Sequence, residues 1–218
     1  MNYGKIQVSD SEIVLLQLTA ASAFSHAEVL DENGNFYTIN LQGAKATDTV
    51  ICSGCVDCFQ PSFTFLGFQY IKVVGLGSDR NLSDFTAAVC HSGIQKTGDF
   101  ACSHKGLTQL QHNILWGQKG NFFDIPPDCP QRDERLGWTG DAQVFFDTAA
   151  FNMDVSRFFR KWMRDVRSQQ NMELGCPTTV PDVIGEQGTA SWGDCCCIIP
   201  WTLYLAHGGL ELLGSIRP

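Results

Sequence analysis

The chain of 218 residues is 44% apolar and 17% charged, and 15 basic against 23 acidic side chains leave a formal charge of −8. That balance excludes a disordered or collagen-like polymer, and the acidic excess argues against a protein built to neutralise nucleic-acid phosphates. No run approaches the roughly 18 apolar residues of a membrane-spanning helix.

Ile13 to Phe24 has the hydrophobicity of a signal-peptide core, but Asp10 and Glu12 precede it where an export signal carries positive charge. The stretch reads as a strand. Ten cysteines fall below the density of a disulfide scaffold, so reduced thiols and a cytoplasmic location are expected.

The first 80 residues carry β-signals. His26 to Leu30 and Phe36 to Asn40 flank an Asp-Glu-Asn-Gly-Asn turn, where Asn33-Gly34 supplies left-handed backbone for a hairpin. Thr49 to Cys52, Ser62 to Phe65 and Phe68 to Val74 follow as short β-branched and aromatic runs, as in a sandwich. After about Asn81 the period becomes helical. Leu107, Leu110, Ile114 and Leu115 recur between Gly106 and Gly117. Asp154 to Gln169 is the clearest helix, with Val155, Phe158, Phe159, Trp162, Met163 and Val166 along one face. Cys195 to Ala206 predicts a further helix, with Pro200 forcing a kink or a late start. Two long polar stretches, Asn121 to Gly140 and Gly175 to Gly193, separate these helices, and loops of that length are enriched in function.

The first of these loops gathers Asp124, Asp128, Asp133, Glu134 and Asp141 around Arg132, Arg135 and Trp138. Crowded carboxylates beside an indole raise one another's pKa, and an acid kept protonated near a charged carboxylate is what glycosidic cleavage needs. The alternative is a surface loop whose acids pair with Arg132 and Arg135. Cys52-x-x-Cys55-x-x-Cys58 has metal-ligand spacing but lacks an obvious fourth ligand, so a strand connection is preferred. Cys195, Cys196 and Cys197 cannot all face one metal from consecutive helical positions, and buried packing is expected for them. Neither a phosphate-binding Gly-x-x-x-x-Gly-Lys loop nor a Gly-x-Ser-x-Gly elbow occurs.

The run from Asn113 to Phe145, with Ile-Pro-Pro-Asp128-Cys-Pro-Gln-Arg132-Asp-Glu134-Arg-Leu-Gly-Trp138-Thr-Gly-Asp141 at its centre, closely resembles the signature of bacterial α-L-rhamnosidases of glycoside hydrolase family 78. The likeness extends upstream through Leu41-Gln-Gly-Ala-Lys-Ala-Thr-Asp48 and downstream through Ser191-Trp-Gly-Asp194 to Tyr204. It implies an α+β multidomain fragment: a β-sandwich portion over 1–80, then the opening part of an incomplete (α/α)6 barrel over 81–218. It further implies inverting hydrolysis of terminal α-L-rhamnosyl residues without a metal or organic cofactor. By motif position Glu134 is the general acid, Asp128 and Asp141 hold rhamnose hydroxyls and tune that acid, and Arg132 orients the carboxylates. Trp138 and Trp192 wall the sugar pocket, with Asp194 in a supporting place.

Departures accompany the resemblance. The family's general base is a glutamate far downstream, and no matching segment occurs in these 218 residues. Gly208-Gly209 and Cys195 to Cys197 replace more usual residues. Two functions follow: part of a working rhamnosidase whose base lies elsewhere, or an inactive fragment that binds rhamnose weakly at most. Either way, barrel helices lacking neighbours are expected to expose apolar surface and self-associate. Rhamnose-containing glycosides are the expected partners, with neither nucleic acid nor membrane.

Overall fold

The computed structural model describes residues 22–51, 59–75, 85–186 and 188–208. The chain divides into two compact units. One comprises Met1–Cys90 with Cys129–Glu134; the other comprises His91–Asp128 with Arg135–Pro218.

In the first unit β1 (Ser22–Ala27) is the middle strand of an antiparallel sheet, between β4 (Thr47–Val50) and β5 (Tyr70–Val74). The register sets Phe24 opposite Asp48 on one side and Val73 on the other. Phe24 is buried against Val50, Phe59, Ile71, Val73 and Phe85, a small apolar cluster beneath the sheet. His26 is also buried. Its ring packs 4.9 Å from Phe68 and hydrogen-bonds the Ala46 carbonyl at 3.1 Å, and burial lowers its pKa.

The expected hairpin is shorter than its sequence suggested. A bend at Glu28 ends β1, and β2 (Val29–Leu30) pairs with β3 (Phe36–Tyr37) in two residues each. Gly34 takes φ +77°, and the Asp31 carboxylate accepts the Asn33 and Asn35 backbone N–H groups at 2.9 and 2.6 Å. An Asx turn of this kind satisfies the tip locally. Chain beyond β3 turns into a single 3-10 turn, Ile39–Leu41, which buries Leu41. Ser62 to Phe65 is irregular rather than a strand: Phe63 sits at φ +60° with its ring fully in solvent. Residues 13–21 and the Cys52, Cys55, Cys58 triplet lie outside the described residues.

The second unit is helical, with α1 (Lys105–Asn121), α2 (Thr139–Asn152), α3 (Ser156–Gln169) and α4 (Cys195–His207). Helix α3 buries Phe158, Phe159, Trp162, Met163 and Val166, the stripe its spacing predicted. These side chains form one core with Phe122, Phe146, Ala149, Cys176, Val180, Cys195, Ile199 and Leu203, among others. Phe122 stacks on Phe158 at 4.7 Å, and Phe159 meets Phe146 at 4.8 Å. Asp154 Oδ1 accepts the Ser156 N–H at 3.1 Å and its hydroxyl at 2.6 Å, which holds the entry to α3.

Two of these helices differ from the expectation, and a third keeps its expected start. Helix α1 runs past Gly117 and Gly120 to Asn121, since glycine costs only about 1 kcal/mol in a helix. Helix α2 begins inside the first polar loop and was not expected as an element. Its apolar residues encircle it, with Phe146 and Ala149 buried but Val144 exposed, so it carries little amphipathic signal. Helix α4 keeps its expected start at Cys195 and runs one residue past Ala206, so of the two effects expected of Pro200 the late start does not occur; the proline supplies no N–H to the Cys196 carbonyl. Among the described residues no helix is long and apolar enough to cross a membrane.

Candidate active site

The acidic loop is pinned at its neck. Leu136 donates its N–H to Asp128 Oδ1 at 3.1 Å, and the Asp128 N–H returns to the Leu136 carbonyl at 3.1 Å. Between these two residues the chain makes an excursion whose middle, Cys129–Glu134, groups with the first unit. The site residues expected from the sequence therefore fall into two sets.

Arg132 and Glu134 belong to the first unit. Their side chains form an ion pair at 2.6 Å, each about one-third exposed. Arg132 Nε also donates to the Cys129 sulfur at 3.3 Å, so the guanidinium is held from two directions. Its charge reaches Glu28, which the sequence reading passed over. Burial raises the Glu28 pKa, while a hydrogen bond from Gln131 and the Arg132 charge oppose that rise. In the same unit Gly67 lies against Pro130, its N–H donating to the Pro130 carbonyl at 3.2 Å. A Cβ on Gly67 would come within 2.8 Å of the proline ring, so glycine is required there.

Asp128, Trp138, Asp141 and Trp192 belong to the second unit. Trp138 immediately precedes α2, where Gly137 to Thr139 run beside residues 178 to 180. The Val180 N–H donates to the Gly137 carbonyl at 2.8 Å, and the Thr139 N–H donates to the Thr178 carbonyl at 2.9 Å. The Thr139 hydroxyl also donates to the Thr178 carbonyl, at 3.0 Å. This short pairing, with a bridge between Trp138 and Thr179, fixes the backbone under the Trp138 ring. Trp192 reaches the same place from the turn before α4. Its ring centroid lies 6.5 Å from that of Trp138, edge to face, and its indole rests on Gly140. Both indole nitrogens are shut off from solvent and have no hydrogen-bond partner. A buried N–H left unpaired costs roughly 1–3 kcal/mol, so this indole contact is held at a cost that the surrounding packing offsets.

Asp141 stands in the first turn of α2. Partial desolvation pushes its pKa above the ordinary carboxylate range; its own backbone N–H opposes this, and the Asp128 charge adds to it. The crowding of carboxylates anticipated from the sequence thus acts on Asp141, with burial ahead of like-charge repulsion. Asp194 is exposed and caps α4 through its backbone, its carbonyl accepting from Cys197 and Ile198 at 3.0 and 2.9 Å.

Comparison with known proteins agrees with the resemblance. Residues 17–91 match the bacterial alpha-L-rhamnosidase concanavalin-like domain, and residues 95–216 match the bacterial alpha-L-rhamnosidase 6 hairpin glycosidase domain. An alpha-L-rhamnosidase of Formosa agariphila is 46% identical over 192 residues, 86% of this chain and 21% of that protein. One from Streptomyces avermitilis is 42% identical over 196 residues, 88% of this chain and 19% of that protein. The crystal structure of Streptomyces avermitilis alpha-L-rhamnosidase complexed with L-rhamnose superposes with a TM-score of 0.87 at 38% identity, covering 97% of this chain and 20% of that one. Native alpha-L-rhamnosidase from Aspergillus terreus gives 0.85 at 41% identity, covering 98% of this chain and 25% of that one. The chain spans about a fifth of the length of the curated relatives it matches. Strands β1 to β5 lie within the first matched domain and helices α1 to α4 within the second, and the chain belongs to the bacterial α-L-rhamnosidase family.

Proposed function

We propose that this chain contributes the sugar-holding wall and the general acid of an inverting α-L-rhamnosidase. The observation that carries the reading is the edge-to-face pair of half-buried indoles, Trp138 and Trp192, in the unit that also holds Asp128 and Asp141. Indole faces stack on a sugar ring, and the carboxylates accept hydrogen bonds from its hydroxyls. A relative of the same fold was solved with L-rhamnose, the sugar this arrangement suits.

In the proposed reaction Glu134 gives its proton to the glycosidic oxygen as the bond from that oxygen to C1 breaks. A water attacks C1 from the opposite face, and a second carboxylate takes the proton that water loses. The 2.6 Å ion pair with Arg132 sets where the Glu134 carboxyl sits. Arg132 then acts by positioning the acid. We place the base in the part of the enzyme that this chain does not span.

Hydrolysis of an aryl α-L-rhamnoside, measured beside L-rhamnose binding followed by tryptophan fluorescence, tests both steps. Turnover that Glu134→Gln abolishes, with binding retained, supports Glu134 as the acid and overturns the placing of the base outside this chain. Binding without turnover supports the second reading, a rhamnose-binding portion that needs its missing base. If L-rhamnose leaves the fluorescence unchanged at millimolar concentration, the sugar-wall proposal fails.

We also propose that the 218-residue chain self-associates. Val144 on α2 and Trp201 and Leu205 on α4 are 82%, 51% and 63% exposed, more apolar surface than a helical unit leaves uncovered without reason. Sedimentation velocity should show a concentration-dependent species larger than the monomer, reduced by Val144→Glu with Leu205→Glu. A monomer at all concentrations would refute it.

A further inference from the structure

The three consecutive cysteines at the start of α4 do not behave alike. Cys195 is fully buried, Cys196 is half-buried and Cys197 is exposed. A third sulfur joins the inner two from a different place in the chain: Cys176, buried in the segment after α3. Cys176 Sγ and Cys195 Sγ are 3.6 Å apart, and the sulfurs of Cys176, Cys195 and Cys196 all lie within 4.8 Å of one another. Gln170, which caps the C-terminus of α3, sets its side-chain amide 3.1 Å from Cys196 Sγ. The end of α3, the loop carrying Cys176 and the first turn of α4 thus converge on one cluster of thiols.

We propose that Cys176, Cys195 and Cys196 form a binding site for a single thiophilic cation, Cu(I) or Zn2+. A cation bonded to sulfur at about 2.3 Å sets its thiolates roughly 3.8–4.0 Å apart, and sulfurs that all lie within 4.8 Å of one another need to move by no more than about an ångström to meet that spacing. Three thiolates complete a trigonal Cu(I) site. For tetrahedral Zn2+ the fourth place falls to the Gln170 amide oxygen, which takes the place of the nitrogen when the amide is turned over.

The site has a structural consequence. Cys195 follows Trp192 by three residues, and Cys176 leads into the Thr178 to Val180 strip that pairs beside Trp138. A cation bridging the two segments ties down the backbone that carries both walls of the proposed sugar pocket.

The test uses the full chain, reduced and stripped of metal, with Cys52, Cys55 and Cys58 changed to serine so that they cannot compete. Zn2+ is titrated against a chromophoric chelator, and Cu(I) is titrated anaerobically against bicinchoninate. One equivalent of at least one cation should bind. Affinity should fall in Cys176→Ser and in Cys196→Ser by at least the roughly 10–100-fold that losing even an outer-shell partner costs. Cys197→Ser should bind as the parent does. Co2+ added to the parent gives a second readout independent of whether the variants fold: a near-ultraviolet sulfur-to-cobalt charge-transfer band. Absence of stoichiometric binding of both cations, or binding unchanged in both Cys176→Ser and Cys196→Ser, overturns the proposal.

Discussion

Asp128 and Leu136 exchange two hydrogen bonds, Leu136 N–H to the Asp128 carboxylate and Asp128 N–H to the Leu136 carbonyl, each 3.1 Å long. The pairing closes the base of the acidic excursion with one side chain and two peptide groups. Asp128→Ala removes the carboxylate acceptor and leaves the Leu136 N–H without it, at a cost on the order of 1–2 kcal/mol for a hydrogen bond to a half-buried charged group. Asp128→Asn keeps an oxygen in the same place and should lie much nearer the parent. Urea unfolding of the two variants measures the difference; equal stabilities would show that the neck does not depend on this side chain.

Asp141 links that neck to pH. Its folded pKa lies above the ordinary aspartate value of 3.8, through desolvation first, opposed by its own backbone N–H, with the Asp128 charge adding to the rise. A raised carboxyl pKa means that the folded state binds the proton more tightly than the unfolded state does. The associated stability is fully present below about pH 3.8 and is lost as pH rises through the folded value. Asp141→Asn should flatten the stability profile over that window. Asp128→Asn should move the Asp141 titration downward, because a like charge has been removed. Carboxyl chemical shifts followed through a pH titration check both, and an upward movement in Asp128→Asn would contradict the described electrostatics.

Gly140 sits one residue into α2 directly under the Trp192 indole, where an added Cβ would lie 3.0–3.1 Å from three ring atoms. Gly140→Ala therefore sets two effects against each other. Alanine favours the helix by about 1 kcal/mol over glycine, while the methyl group pushes the indole away from its seat. The expected result is a stability within about 1 kcal/mol of the parent together with weaker L-rhamnose binding and altered tryptophan fluorescence. Unchanged affinity would mean that the position of Trp192 does not matter to the sugar.

Some of this was legible in the sequence and some could not be. The α3 stripe was, because five side chains at helical spacing all meet one core. The Asn33-Gly34 turn was, because its conformation is set by the residues in it. Helix α2 was not, since apolar residues surround it and its fold is decided by neighbours rather than by period. The candidate site divides the same way. Trp138 stood out beside the acids, whereas the contact between Trp192 and Gly140 depends on how the turn before α4 packs on α2. Glu28 carries no local signal at all, and its raised pKa arises from burial within the sheet unit. The cysteine triplet was read as packing, which holds for Cys195. The meeting of Cys176 with Cys195 and Cys196 is a tertiary fact that no spacing along one helix could reveal.

Trp162 connects the helical core to the proposed sugar wall. Its ring is fully buried, edge-on to Phe159 at 6.1 Å, and its indole N–H donates to the Val180 carbonyl at 3.2 Å. Val180 in turn donates its N–H to the Gly137 carbonyl, one residue before Trp138. Trp162→Ala should cost about 3–5 kcal/mol as a large cavity opens in the core. Trp162→Phe is the more informative change. It refills much of the volume but strands the Val180 carbonyl, at a cost of roughly 1–3 kcal/mol. If the Val180 strip fixes the backbone under Trp138, Trp162→Phe should also weaken L-rhamnose binding although Trp162 is buried within the core. Urea unfolding and a rhamnose titration on the same sample separate the two effects. A destabilised variant with parental affinity would show that the wall is held by the Thr139 and Thr178 hydrogen bonds alone.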